Sequence, residues 1–85
     1  MQSLLEVSLK RQVINNNTNA FDVNGMIDPT FKNIGTENVM IDNEIVLPGQ
    51  YYVIPTYGAV LRNSYVSINF SGNDKNVLLK YKTQI

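Results

Sequence analysis

Between positions 5 and 13 the side chains alternate: Leu5, Val7, Leu9, Arg11 and Val13 take the odd positions, and Glu6, Ser8, Lys10 and Gln12 the even ones. A period of two sends each class to one face of an extended chain, so the segment predicts a half-buried strand. Helix is the competing pattern over residues 3–14, but helical spacing would gather Glu6, Lys10, Leu9 and Val13 on one mixed face. The run Asn15-Asn16-Asn17-Thr18-Asn19 then breaks the rhythm, because short amides bond their own backbone and tolerate left-handed geometry. Residues 1–19 are therefore expected to form an N-terminal strand and asparagine-rich hinge, and residues 20–85 a single β-sandwich domain. Two readings of the first strand stand side by side. It is the first strand of the chain's own sandwich, or a tethered strand that exchanges onto a neighbouring sheet.

The rest of the chain is a series of short apolar runs cut by turn chemistry. Residues 20–23 form a short strand closed by Asn24-Gly25, which fits a two-residue hairpin turn, and Met26-Ile27 begin a returning strand that Asp28-Pro29 interrupts. Runs at 30–34, 39–41 and 44–47 follow, separated by Gly35 and Asp42-Asn43, and Pro48-Gly49 suits a type II turn. Over 51–54, Tyr51 and Val53 oppose Tyr52 and Ile54; both faces are apolar, which predicts a central or covered strand. Val66, Ile68 and Phe70 alternate with Tyr65, Ser67 and Asn69, and Val77, Leu79 and Tyr81 with Asn76, Lys80 and Lys82. No helix longer than a turn is predicted. The fold class expected is all-β, a small antiparallel β-sandwich or partly open barrel with an extended N-terminal strand.

Composition narrows what such a domain does. With 85 residues there is room for one core, and a chain of that size buries only about 60–65% of its unfolded surface, so small domains add a staple. Cysteine and histidine are both absent, which removes disulfides, the commonest zinc ligands and the usual base of nucleophilic catalysis. Association with other chains is the staple that remains. Seven basic and seven acidic residues cancel and do not cluster along the sequence, so no field draws the chain to nucleic acid or an anionic membrane. No apolar run approaches a membrane span and the N-terminus lacks a signal-like stretch, which predicts a soluble, unprocessed chain.

The carboxylates Asp42 and Glu44 flank a turn, and acid–base work would need environments that separate their pKa values. Asp22, Asn24, Asp42, Asn43, Asn73 and Asp74 offer oxygen ligands but match no spaced calcium loop and read as turn formers. The expectation is no enzyme, no cofactor and no metal. Tyr51, Tyr52 and Tyr57 join an apolar ring to a polar tip and read as packing or interface residues; with Leu5, Val7, Leu9 and Val13 they form the candidate protein interface.

Phe31-Lys32-Asn33-Ile34-Gly35-Thr36, then Val39-Met40-Ile41-Asp42, then Ile45-Val46-Leu47-Pro48-Gly49-Gln50 give an aromatic strand, an Asn-x-Gly-Thr turn, a Val-x-Ile strand and a Leu-Pro-Gly turn. Over roughly residues 30–82 this resembles small immunoglobulin-like accessory proteins in the virions of tailed bacteriophages, which decorate capsids or build the neck and tail. The resemblance implies a non-enzymatic structural subunit of a virion, assembled in the host cytoplasm. It would act through protein contacts as a homo-oligomer or as multiple copies on a larger protein assembly. The alternatives are a carbohydrate or cell-surface binding module using the tyrosines as a platform, and a small regulator docking on one host protein.

Overall fold

Turn-forming residues cut the chain into eight strands: β1 (Val7–Ile14), β2 (Thr18–Asp22), β3 (Met26–Asn33), β4 (Val39–Ile41), β5 (Glu44–Val46), β6 (Tyr51–Val53), β7 (Tyr65–Phe70) and β8 (Val77–Gln84). The computed structural model describes residues 6–85, so Leu5 lies outside the described residues. Among the described residues there is no helix. The strands form two antiparallel four-stranded sheets, sheet A in the order β1-β8-β3-β6 and sheet B in the order β2-β7-β4-β5. The pairs β1·β8, β2·β7, β3·β6 and β4·β5 nest from the chain ends inward, as in a long hairpin rolled over on itself. This eight-strand order is that of a jelly roll, built from two Greek keys. It differs from the ABED and CFG sheets of the immunoglobulin sandwich, and the two sheets do not close into a barrel.

Six of the seven connections cross between sheets; the β4–β5 link at Asp42-Asn43 is the hairpin, with both residues at positive φ (51° and 68°) as a primed turn requires. Asn24-Gly25, expected to close a hairpin, instead carries the chain from sheet B to sheet A. Its turn is fixed from a distance, because Asn24 Oδ1 accepts the Ser64 N–H at 3.1 Å and Gly25 N–H donates to the Leu61 carbonyl at 2.9 Å. Pro48-Gly49 makes the anticipated turn, with Gly49 at φ 83° and a Gln50 N–H to Leu47 carbonyl bond of 2.9 Å. The asparagine run leads from sheet A to sheet B, and Asn17 Oδ1 anchors it by accepting the Phe70 N–H at 2.9 Å. β1 pairs with β8 of its own chain from Val7↔Gln84 to Ile14↔Val77.

Asp28-Pro29, read from sequence as an interruption, is a bulge inside one continuous strand. Ile27 pairs with Lys82 and Thr30 with Lys80, so β3 holds one residue more than β8 over that span. Asp28 takes the positive φ (49°) and Pro29, lacking an N–H, sits where a ladder bond is lost anyway. Inward side chains of the two sheets interlock around Phe31, whose ring meets Phe21 edge-on at 6.3 Å and Tyr52 at 6.1 Å. Val39, Ile41, Ile68, Val77 and Leu79 complete the solvent-free centre. Asn33 is buried among them, and its amide is fully used: Nδ2 donates to the Glu37 and Val46 carbonyls at 2.7 and 3.0 Å, and Oδ1 accepts the Gly35 N–H at 3.0 Å.

Candidate docking face

Directly paired residues of an antiparallel ladder point to the same side of the sheet. Val77 and Leu79 face the core, so Leu78, Lys80 and Lys82 face out, and register carries that side across sheet A. One row reads Val13, Leu78, Lys32, Tyr51 and the next Arg11, Lys80, Thr30, Val53; a third pairs Leu9 with Lys82. Exposure agrees at four positions, with Leu9 78%, Val13 51%, Tyr51 60% and Val53 50% accessible; Ile27, which pairs with Lys82 beside the bulge, is buried.

β1 is therefore reversed relative to an ordinary sandwich strand, which turns its apolar side inward and its polar side to water. Its core-side positions are Ser8, Lys10 and Gln12, with only Ile14 buried, while its apolar set Val7, Leu9 and Val13 lies on the outside of the molecule. The sequence-level alternation is real, but the face that it marks is not the core.

Electrostatics on this face also departs from the sequence reading. The charges, scattered along the chain, are sorted by the fold, because neighbouring segments belong to opposite sheets. Strands of sheet A carry Lys10, Arg11, Lys32, Lys80 and Lys82 against the single carboxylate Asp28; strands of sheet B carry Asp22 and Glu44, with Asp42 in their turn, and no cation. Of the five cations, Arg11, Lys32, Lys80 and Lys82 share the outer face. Lys32 Nζ lies over the Tyr51 ring at 5.4 Å, a cation–π contact, and Lys82 Nζ stands 3.8 Å from Asp28 Oδ2. A shallow depression bordered by Leu9, Arg11, Lys80, Lys82, Asp28 and Thr30 runs between the rows.

Asp28 is more than a counter-ion. Its Oδ1 accepts the Thr56 N–H at 2.7 Å and the Thr56 hydroxyl at 3.0 Å, and its own N–H donates back to Thr56 Oγ1 at 3.1 Å. The Thr56 N–H above all, then its hydroxyl and Lys82, hold the carboxyl below the ordinary aspartate range against some opposition from burial.

The candidate residues divide. Leu9, Val13 and Tyr51 meet on the one outer face, and Val7 lies half-buried at its end; Leu5 is outside the described residues. Tyr52 points the other way, into the core, where its ring packs on Phe31 and its hydroxyl reaches Asp42 Oδ2 at 3.5 Å; burial, with Asp42 and Glu44 nearby, pushes that phenol up. Tyr57 is 93% exposed at the tip of the loop after β6, at φ 54°. β6, expected to be central or covered, is an edge strand with an open outer face.

Sequence reasoning missed Val53, Leu78 and the four cations of the face. Val53 shares the parity of Tyr51 and was legible; Leu78 and the cations needed the register. Asp42 and Glu44 are both exposed at the β4–β5 turn. The Asp22 carboxylate is engaged in a turn bond to Asn24, and that of Asp74 bonds Thr36 of another loop and Asn76. Among the described residues no group of three or more acidic side chains is placed to hold a metal ion.

Comparison with protein-family models, with curated proteins and with solved structures gave no match.

Proposed function

We propose that this jelly-roll domain is a non-catalytic structural subunit of a protein assembly, a virion in the reading that the Leu-Pro-Gly resemblance favours, held in place by the outer face of sheet A. The observation that carries the proposal is the reversal of β1. An alternating apolar strand that turns Leu9 and Val13 away from its own core leaves apolar surface exposed among the described residues, open to another molecule. Val53, Leu78 and Tyr51 extend the apolar patch across the sheet, and Arg11, Lys32, Lys80 and Lys82 stand among them, which suits a contact selected by charge. The fold is compatible, since jelly rolls build viral capsid domains, although they also build lectins, and fold alone does not choose. A glycan platform made of three tyrosines is not available, because Tyr52 is turned into the core.

The test is particle fractionation. In its source cells, the tagged chain should sediment with large particles at a fixed ratio to the shell protein, and the Leu9→Gln Val13→Gln variant should remain in the slow fraction at equal abundance. A wild-type chain found entirely in the slow fraction would end the structural-subunit reading.

A further inference from the structure

We propose that the free edge of β1 takes an extended segment of another protein as a fifth strand of sheet A, a segment that sets carboxylates opposite Lys10 and Arg11 and apolar side chains opposite Leu9 and Val13. The proposal concerns the edge of the sheet and does not depend on the reading of its outer face.

Hydrogen-bond parity identifies the backbone groups that are free. An antiparallel ladder alternates pairs that exchange both backbone bonds with pairs that exchange none. Ile85 N–H donates to the Glu6 carbonyl at 3.1 Å, in line with the register that starts at Val7↔Gln84. Ser8, Lys10, Gln12 and Ile14 therefore bond to β8, and Val7, Leu9, Arg11 and Val13 point their N–H and C=O groups the other way. The far side of β8 agrees, since the Asn76 carbonyl accepts the Ile34 N–H at 3.1 Å and so leaves Val77, Leu79 and Tyr81 to bond with β1. No strand lies beyond β1, and among the described residues no hydrogen bond reaches the outward groups. Donors and acceptors alternating at two-residue spacing over about 20 Å fit an extended polypeptide backbone.

The other three edges suit a strand less. β5 and β6 have three residues each, and β2 is broken by a register shift between Thr18 and Phe21, both devices that blunt a sheet edge. β1 has eight residues, no bulge and no proline, and Leu9 to Val13 are exposed on both sides of the strand.

Charge selects the occupant. Among the described residues the one ion pair is Lys82 with Asp28, so Lys10 and Arg11 bring unneutralised charge to the edge, Lys10 on its core side and Arg11 on its outer side. A second copy is a poor partner. The antiparallel register that uses every outward group sets Lys10 against its own counterpart, and the register centred on Arg11 sets Arg11 against its own. The register centred on Leu9 avoids both clashes but gives the Val13 groups no partner among the described residues. A foreign strand with acidic residues at those two positions gains where a second copy loses.

Hydrogen exchange of the intact protein, followed by NMR, tests this. Without a partner, the Val7, Leu9, Arg11 and Val13 amides should exchange fast and those of Ser8, Lys10 and Gln12 slowly. The capped peptide Val-Thr-Glu-Glu-Val-Thr-Val, antiparallel to β1 with its first glutamate opposite Arg11, should slow the first set about tenfold at saturation and leave the second set unchanged. Two altered peptides leave the protein itself untouched. Lysine in place of both glutamates, or N-methyl groups on the first glutamate and the central valine, should each weaken binding about tenfold. A peptide that binds without the alternating protection docks on a face, and would overturn the proposal. So would no binding at millimolar peptide, equal affinity for the altered peptides, or outward amides already protected in a dimer of the chain. Particle fractionation judges the structural-subunit reading separately.

Discussion

Asn33 shows how much one polar side chain can hold. It lies at the end of β3 in sheet A, yet its amide reaches the Val46 carbonyl of β5 in sheet B and both sides of the loop between β3 and β4. Asn33→Leu would keep the volume and strand two carbonyls and one N–H without partners, at about 1–3 kcal/mol for a buried group left unpaired. The expected result is a loss of at least about 2 kcal/mol in urea unfolding with an unchanged slope; a loss within error of zero would mean that water replaces the amide. Tyr57 is the opposite case, a bulky side chain at positive φ whose ring touches solvent. Asn tolerates that conformation better, so Tyr57→Asn should raise stability by up to about 1 kcal/mol, read as a higher melting temperature. Neither role was visible in the sequence. Asn33 reads there as a turn residue beside Gly35, and Tyr57 as one of three candidate interface tyrosines.

At the scale of elements, two carboxylates tie loops that the strands alone leave loose. Asp28 holds the segment after β6, and Asp74 holds the β3–β4 loop, its Oδ2 accepting the Thr36 N–H at 2.7 Å and the Thr36 hydroxyl at 2.8 Å. Bonds from the Thr36 hydroxyl, then its N–H and the Asn76 amide, hold Asp74 below the ordinary aspartate range, as Thr56 does Asp28. A carboxyl whose pKa is lower folded than unfolded contributes stability that is fully present above the unfolded value of about 3.9 and is lost as pH falls through the folded value. Unfolding free energy should be level near neutrality and decline below about pH 4. Asp28→Asn Asp74→Asn should be less stable at pH 7 and show a shallower acid decline; an identical decline would place the linkage elsewhere.

The turns behind these loops were legible wherever their chemistry is local, as at Asp42-Asn43 and Pro48-Gly49. Asn24-Gly25 misled because a dipeptide sets a bend, whereas Ser64 and Leu61, about forty residues on, decide which sheet the next strand joins. β1 was legible as a strand for the same local reason. Alternation gives a strand two faces without saying which one meets the core.

For the whole molecule, a formal charge of zero conceals a cationic outer face on sheet A. The all-β class follows from short alternating runs and close turns, but the sorting of charge follows from the interleaving of β1, β3, β6 and β8 with β2, β4, β5 and β7. An assembly contact made through that face should be salt-sensitive. Raising ionic strength from about 0.01 to about 0.1 M shortens the screening length from about 30 to about 10 Å, and that contact should weaken about tenfold over that range. Equal affinity at both ionic strengths would assign the contact to its apolar residues alone.

The central place of β8 in sheet A has a consequence in time. Both β1 and β3 bond to it, so β1 has no ladder, and β3 only its pairing with β6, until β8 has left the ribosome. At about 5–20 residues per second, β1 waits several seconds for its partner, with Leu9 and Val13 open to any strand nearby. Sheet A is thus the last part of the nascent molecule to be completed, and a product stalled before Val77 holds β1, β3 and β6 without the strand that joins the first two. Such a product offers a chaperone the same apolar side chains, Leu9 and Val13, that stay exposed on the finished domain.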